Sequence, residues 1–218
     1  MTFQSFRNGI QQLVYRLIDP SVKWMAAHGI TPNIITTLGL VGNMLAAAVF
    51  VCSALIATQP CLWHIGVAGC IILLSSIMDM VDGYMARTQH KESTFGAFYD
   101  SVLDRYCELF TLAAIAFYFI QYGQPVGMLI TLLALIGSIM VSYIRARAEG
   151  IGTDCKVGLL QRPERVVLTS LGAILTAFFG HLTANPLLIL LVSQAIIAVL
   201  ANYTAVVRIL HVRNNLKA

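Results

Sequence analysis

The sequence predicts an all-α integral membrane protein with six transmembrane helices, an amphipathic helix before the first of them, and both termini in the cytoplasm. Three observations support this fold class: an apolar composition, apolar segments of membrane-spanning length, and charged residues confined to alternate connections. Of the 218 residues, 58% are hydrophobic and only 11% are charged, and the mean hydropathy is +0.78. This composition is typical of a polytopic membrane protein, so we expect the lipid bilayer as a partner and no nucleic acid.

The N-terminal segment, residues 2–28, is predicted to form a basic amphipathic helix. The apolar stripe of this helix consists of Phe6, Ile10, Leu13, Leu17 and the pair Trp24 and Met25. Arg and Lys residues lie between them, and a helix of this kind before a first span usually lies in the headgroup layer, although an ordinary solvated helix is the alternative. We therefore divide the chain into a juxtamembrane segment that leads into the first span, 1–33, and a six-helix transmembrane domain, 34–218.

Six apolar segments follow, each close to the roughly 20 residues that cross a bilayer as a helix. The predicted spans are 34–57, 62–87, 96–121, 126–148, 164–182 and 187–209. The connections at 58–61, 122–125 and 184–186 are short and contain Pro or Gly, as tight turns between antiparallel helices do.

The charged residues give an independent test of this topology. All 14 Lys and Arg residues lie in the N-terminal segment, in 87–105, in 145–165 or in the tail from Arg208, and the three tight connections contain none. An even number of spans with every cation on one side is self-consistent. By the positive-inside rule that side is cytoplasmic, which predicts a multi-pass protein of the inner (plasma) membrane with its charged face toward the cytoplasm.

Four aspartates lie within the 26 residues from Asp79 to Asp104, in a chain that is otherwise mostly apolar. Their spacing is helical, and each of two helices carries one acidic face. The first face consists of Asp79, Asp82, Gly83 and Ala86, and the second of Gly96, Asp100 and Asp104. If two helices joined near 88–95 turn these faces toward each other, the four carboxylates converge beside a gap lined by very small residues.

Close carboxylates repel one another unless a cation neutralises them. A set of ligands made only of oxygen suits Mg²⁺ or Mn²⁺ better than Zn²⁺, and two ions beside Arg87 would suit a bound diphosphate. About 25 Å of helix separates Leu62 from the first carboxylate at about 1.5 Å per residue, which puts the cluster near the cytoplasmic boundary of the bilayer. Intramembrane acids are functional candidates by default.

The complete pattern, D-x2-D-G-x2-A-R-x8-G-x3-D-x3-D, resembles at every fixed position the signature of the CDP-alcohol phosphotransferase family. The resemblance implies an enzyme of phospholipid biosynthesis that transfers a phosphatidyl group from a CDP-linked lipid to an alcohol and releases CMP. It implies Asp79, Asp82 and Asp100 as metal ligands. It implies Asp104 as the general base, also bordering the metal site.

The resemblance further implies where the CDP-lipid, CDP-diacylglycerol, would bind. Residues Gly83, Ala86 and Gly96, together with Asp82, would line the nucleotide site, and Arg87 would bind a donor phosphate. The run Thr-Pro-Asn-Ile-Ile-Thr at 31–36 matches a second family feature, although a Pro followed by a polar residue is also typical of any helix start. We expect Asn33 and Thr36 to lie near the cytidine.

The acceptor alcohol is indicated by a different, strongly basic segment. The cations concerned are Arg145, Lys156, Arg162, Arg165 and Arg208. The runs Y-I-R-A-R-A-E and R-P-E-R resemble those of prokaryotic phosphatidylinositol-phosphate synthases, although Arg145 stands where those members often carry Lys. On this resemblance the acceptor is inositol phosphate and its phosphate contacts are foremost Arg145, Arg165 and Arg208. Glycerol 3-phosphate, the acceptor of phosphatidylglycerophosphate synthases, is the main alternative acceptor. The basic segment could also reflect only the positive-inside bias and attraction to lipid headgroups, without any acceptor site.

Two other classes of protein, a membrane prenyltransferase and a transporter, also place acids in membrane helices. Prenyltransferases normally carry their two Asp-rich motifs in distant helix pairs, and a transporter predicts inverted repeats, which the sequence does not show. Glu108 extends the second acidic face and is expected at most to pair with a nearby Arg. Small residues in the fifth span, such as Gly172 and Gly180, would suit a homodimer interface or packing within one chain.

Overall fold

The computed structural model describes residues 18–89 and 93–216, and the ordered elements in these ranges are all helical. Seven α-helices follow one another in these two ranges. They are α1 (18–27), α2 (Pro32–Ile56), α3 (Leu62–Thr88), α4 (Thr94–Gln121), α5 (Pro125–Glu149), α6 (Arg162–Phe179) and α7 (Leu188–Asn215). A single turn of 3₁₀ helix, Gly180–Leu182, follows α6.

Each predicted span coincides with one of the helices α2 to α7. The largest difference is at the end of α7, which continues to Asn215 instead of ending at residue 209. Five of these helices, all except α4, are long and apolar enough to cross a membrane. Helix α4 is equally long, with 28 residues, but its first half carries the charged residues of the second acidic face.

The helix starts follow from local chemistry. Proline occupies the first turn of α2, α5 and α6, where the missing N–H would have no partner within the helix. Ser93 caps α4, because its hydroxyl accepts a hydrogen bond from the Gly96 N–H at 2.9 Å. Gly123, with φ of +68°, allows the tight turn between α4 and α5.

Many large apolar side chains lie on the outside of the bundle, and small or hydroxyl side chains share its interior with buried aromatic and aliphatic residues such as Phe50 and Phe119. Leu45, Ile56, Leu129 and Val199 are more than half exposed. The buried positions include Ala46, Ala68, Thr131, Ser138, Ser170, Thr176 and Ala201. This distribution fits a helical bundle in lipid, where close backbone packing and internal hydrogen bonds replace a hydrophobic driving force between helices.

The small residues of α6 pack within the chain. A Cβ added to Gly69 of α3 would lie 2.8 Å from the Cβ of Ala173, and one added to Gly66 would lie 2.5 Å from the Cβ of Ala177. The two helices therefore approach more closely than larger side chains allow. The homodimer stays a prediction. This face of α6 is covered by α3 of the same chain, so it is not available as a dimer interface.

Helix α1 packs against the ends of α2 and α3. Val22 is buried beside Ile35, Val81 and Met85, and the hydroxyl of Tyr84 donates a hydrogen bond to Asp19 at 2.9 Å. The rest of the predicted amphipathic segment, residues 2–17, lies outside the described residues.

The alternating direction of successive helices decides where the site lies. The starts of α2, α4 and α6 meet the ends of α3, α5 and α7 at one end of the bundle, as the contacts between Thr36 and Asp82 and between Arg162 and Asp104 show. This end carries the acidic motif and the basic segment together.

Candidate active site

A cleft of about 220 Å³ opens between the start of α2, the end of α3 and the start of α4. All seven residues predicted to bind the CDP-lipid line it. They are Asn33, Thr36, Asp82, Gly83, Ala86, Arg87 and Gly96. Ser93 and Ala97, which the sequence analysis did not single out, also line the cleft.

Two features keep this cleft open and ordered. A Cβ on Gly96 would lie 2.9 Å from the Ser93 hydroxyl that caps α4 and 3.4 Å from the side-chain oxygen of Asn33, so a larger residue would disturb the wall. The hydroxyl of Thr36 donates to Asp82 at 2.5 Å, and both residues are 5% exposed. This short bond to a charged acceptor fixes one carboxylate of the first acidic face.

Arg162, at the start of α6, is the cation that the structure places among the carboxylates. Its Nη1 lies 2.9 Å from an oxygen of Asp79 on α3 and 2.7 Å from an oxygen of Asp104 on α4. The two acidic faces therefore do turn toward each other, as the spacing predicted. Arg162 is 19% exposed, and the acids are 16% and 14% exposed, so the contacts are shielded from bulk solvent.

The donor chemistry of this cluster fits Mg²⁺ or Mn²⁺, because Asp79, Asp82, Asp100 and Asp104 offer oxygen ligands only. Within the described part of the chain, no three His, Cys, Asp or Glu side chains already stand in coordinating positions. The guanidinium of Arg162 lies between two of the carboxylates instead. Arg162 by itself does not balance four carboxylates, and even with the nearby Arg105 and Arg87 the acids outnumber the cations, which leaves the site suited to a metal ion.

A second cavity, of about 380 Å³, lies on the other side of the carboxylates, between α4, α5, α6 and α7. Four of the five cations predicted for the acceptor phosphate line it, together with two of the acids. They are Arg145, Arg162, Arg165, Arg208, Asp100 and Asp104. Asp100 lines both cavities, so the carboxylate cluster forms the boundary between them.

Lys156 is the predicted acceptor residue that the structure does not bring to this cavity. Its side chain is 67% exposed and lies 3.5 Å from Asp154 in the loop before α6. That loop turns the Lys156 side chain outward, whereas the neighbouring arginines sit at helix ends that face the cavity. Sequence proximity to the basic run was therefore a poor guide at this position.

The buried arginines of the cavity are held by specific partners. Arg165 is 2% exposed and donates to both oxygens of Glu108, at 2.7 and 3.0 Å, and to the carbonyl of Leu160. Arg208 donates to the carbonyls of Val157 and Val141. The expected pairing of Glu108 with an Arg is confirmed.

Arg145 differs from these two, because its partner is exposed. Its Nε lies 2.8 Å from Glu149, one turn further along α5, and the two side chains are 43% and 47% exposed. An exposed pair of this kind contributes little stability and separates readily. Arg145 is therefore the cation of the cavity that is easiest to redirect toward an incoming anion.

Several polar residues of the second cavity were missed by the sequence analysis. They are Ser101, Arg105, Ser142, Glu149 and Gln161. Ser101 and Arg105 directly follow Asp100 and Asp104, so a search of both flanks of the acidic face would have found them. Gln161 precedes the R-P-E-R run and carries no signal that distinguishes it from a loop residue.

This architecture defines a class: a membrane-embedded helical enzyme whose carboxylate cluster separates a small-residue cleft from a cationic cavity. The chain belongs to the CDP-alcohol phosphatidyltransferase family, whose profile matches residues 29–211. The resemblance of the acidic motif is thereby confirmed. Prenyltransferase and transporter, the alternatives from other classes, are set aside.

Relatives of the chain are synthases of inositol phosphate lipids. It is 30% identical over 214 residues to the archaetidylinositol phosphate synthase of Methanothermobacter thermautotrophicus, covering 98% of this chain and 97% of that protein. It is 30% identical over 166 residues to the phosphatidylinositol phosphate synthase of Mycobacteroides abscessus, covering 76% and 71%.

Solved structures of the Mycobacterium tuberculosis phosphatidylinositol phosphate synthase share the fold. The structure with CDP-DAG bound is 26% identical and superposes with a TM-score of 0.77, covering 90% of this chain and 94% of that chain. The structure in complex with manganese and citrate has a TM-score of 0.75 at 26% identity, covering 88% and 87%. The chain is thus a multi-pass integral membrane protein.

Proposed function

We propose that this enzyme transfers the phosphatidyl group of CDP-diacylglycerol to inositol phosphate and releases CMP, giving phosphatidylinositol phosphate. The observation that carries the proposal is the cationic cavity beside Asp104, lined by Arg145, Arg162, Arg165 and Arg208. An acceptor without a phosphate would not need so many cations in a partly enclosed site.

The cleft between α2, α3 and α4 is the proposed donor site. It combines a small-residue wall, the Arg87 side chain and the amide of Asn33. The diacylglycerol of the donor would stay in the bilayer while its diphosphate and cytidine occupy the cleft. The relative solved with CDP-DAG bound, which has the same fold, supports CDP-diacylglycerol as the donor.

Asp79, Asp82, Asp100 and Asp104 would hold Mg²⁺ or Mn²⁺, as two ions. When bound, the metal supplies charge stabilisation for the entering and leaving oxygens of a phosphoryl transfer. The Thr36 hydroxyl holds Asp82 in place, and Gly39 leaves room for the Asp79 carboxylate, since a Cβ on Gly39 would lie 3.0 Å from an Asp79 oxygen.

Asp104 is the proposed general base. It faces the acceptor cavity, whereas it does not line the donor cleft. Its carboxylate would accept the proton of an acceptor hydroxyl while that oxygen forms a bond to the lipid-side phosphorus. The bond from that phosphorus to the bridging oxygen breaks, and CMP leaves with the electron pair.

The rest of the cavity favours a polyol. Ser142, Gln161 and Glu149 add hydroxyl, amide and carboxylate groups to the lining of the cavity. A ring with several hydroxyls uses such groups more fully than glycerol 3-phosphate does. Arg165 still has N–H groups to offer, because its hydrogen bonds use three of five.

The membrane arrangement is part of the same proposal. It comprises six spans including α4, both termini and the active site toward the cytoplasm, and a homodimer. The partition of cations to one end of the bundle supports the orientation. Labelling of single cysteines introduced at 58–60 and at 150–154 tests it in intact cells, in a variant whose five native cysteines are replaced by serine. Only the first set should react from outside.

The acceptor is tested by release of radiolabelled CMP from CDP-diacylglycerol by the purified protein, with Mg²⁺ or Mn²⁺ and a chelator control. The panel is inositol 1-phosphate, glycerol 3-phosphate, free inositol and serine. We expect the highest kcat/KM for inositol 1-phosphate and no turnover with chelator. A preference for glycerol 3-phosphate would move the enzyme to the phosphatidylglycerophosphate synthases, and turnover of free inositol or serine alone would refute a phosphorylated acceptor.

A further inference from the structure

Arg162 stands at the boundary between the donor side and the acceptor cavity. One nitrogen, Nη1, contacts both Asp79 and Asp104, at 2.9 and 2.7 Å. Its Nε is buried and has no hydrogen-bond partner among the described residues. In this position the guanidinium neutralises the carboxylates, but its Nε–H is buried without an acceptor. The position therefore satisfies the acids and leaves one hydrogen-bond donor of the arginine unsatisfied.

The backbone that carries Arg162 is fixed while its side chain has room to move. Three residues further along α6, Arg165 is tied to Glu108 and to the carbonyl of Leu160, so the start of α6 is anchored to α4. Arg162 itself also lines the acceptor cavity. Rotation of its long side chain would carry the guanidinium away from the carboxylates and further into that cavity while the helix stays in place.

We propose that Arg162 is an exchangeable internal counterion that occupies the carboxylate cluster in the metal-free protein and moves into the acceptor cavity when divalent cations bind. This inference rests on the proposed metal ligands. A metal ion bound to Asp79 and Asp104 and the guanidinium at its present position exclude each other. Metal loading thereby frees the Arg162 guanidinium from the carboxylates for an anion in the acceptor cavity, so metal and phosphorylated acceptor bind with positive and reciprocal coupling.

The first test measures Mn²⁺ affinity of the full-length protein in detergent by calorimetry or by electron paramagnetic resonance. In Arg162→Gln we expect Mn²⁺ to bind about tenfold more tightly than in the wild type, because the competing cation is gone. Arg147→Gln is the matched control: it removes one positive charge from an exposed position on α5 and should leave the affinity unchanged. Equal or weaker Mn²⁺ binding by Arg162→Gln would overturn the proposal.

The second test measures coupling. Saturating inositol 1-phosphate should tighten Mn²⁺ binding to the wild type about fivefold, and this effect should vanish in Arg162→Gln. Without metal, the melting temperature of Arg162→Gln should be lower than that of the wild type. Mn²⁺ should raise the melting temperature of the variant by more than it raises that of the wild type. If Arg162→Gln does not fold without metal, two other measurements test the proposal. Inositol 1-phosphate should still tighten Mn²⁺ binding to the wild type, and Arg162→Lys should bind Mn²⁺ with an affinity different from that of the wild type and on the tighter side. Absence of either effect contradicts the proposal.

The proposed metal site and the counterion role of Arg162 can be refuted separately. If Asp79→Asn and Asp104→Asn do not weaken Mn²⁺ binding, the proposed metal site itself is wrong. If they do weaken it while Arg162→Gln binds Mn²⁺ no more tightly than the wild type, only the counterion role of Arg162 is wrong.

Discussion

The buried ion pair between Glu108 and Arg165 allows a quantitative prediction. Arg165 is 2% exposed and Glu108 is 6% exposed, and two hydrogen bonds join them. Replacement of Arg165 by Met leaves the carboxylate buried without its partner, which typically costs about 3–5 kcal/mol. Replacement of both, as Glu108→Leu with Arg165→Met, removes the charge as well and leaves mainly the Leu160 carbonyl without its donor, at about 1–2 kcal/mol.

The measurement is the free energy of unfolding of the detergent-solubilised protein, followed by circular dichroism for the wild type, both single variants and the double variant. The expected coupling energy is about 2 kcal/mol or more. The exposed pair Arg145 and Glu149 serves as the control, with an expected coupling of about 0.5 kcal/mol or less. If the free-energy changes of the two buried single variants sum to that of the double variant, burial does not control this interaction and the reasoning is wrong. The same conclusion follows if the exposed pair shows an equally large coupling energy.

Three further predictions concern the site. Asp104→Asn should lower turnover by about 10²–10⁴-fold while CDP-diacylglycerol still binds, as measured by CMP release and by binding of labelled donor; near-normal turnover would remove Asp104 as the base. Thr36→Val should weaken donor binding about tenfold, because Asp82 loses a hydrogen bond to a charged group; an unchanged dissociation constant would show that this bond does not order the cleft. Arg145→Gln should raise the KM for the phosphorylated acceptor about tenfold with a smaller effect on the donor KM, and Lys156→Gln should leave both unchanged; equal effects would contradict the cavity assignment.

The helical fold was largely predictable, because lipid requires backbone hydrogen bonds to be satisfied within each spanning segment. The predicted spans therefore match α2 to α7 closely. The acidic faces were predictable for a similar reason, since helical periodicity alone decides which side chains share a face. Helix α4 is the predicted span that depends most on context, because Asp104, Arg105 and Glu108 stand together in its sequence and it is the one helix of α2 to α7 that does not combine the length and apolar composition of a membrane span.

Contacts between distant segments were not predictable in the same way. The basic segment indicated an anion site, but proximity in sequence did not separate Lys156, which faces outward, from Arg165, which is buried against Glu108. The small residues of α6 were compatible with two kinds of packing, and only the neighbouring α3 backbone decided between them.

The sequence by itself determined the membrane class, the helical segments and the carboxylate motif, because these depend on composition and on the fixed period of one helix. Only the tertiary structure decided which cation meets which acid. That choice depends on side chains from α3, α4 and α6 reaching one point, and the insertion of Arg162 between Asp79 and Asp104 follows from the mutual placement of three helices that no local pattern encodes.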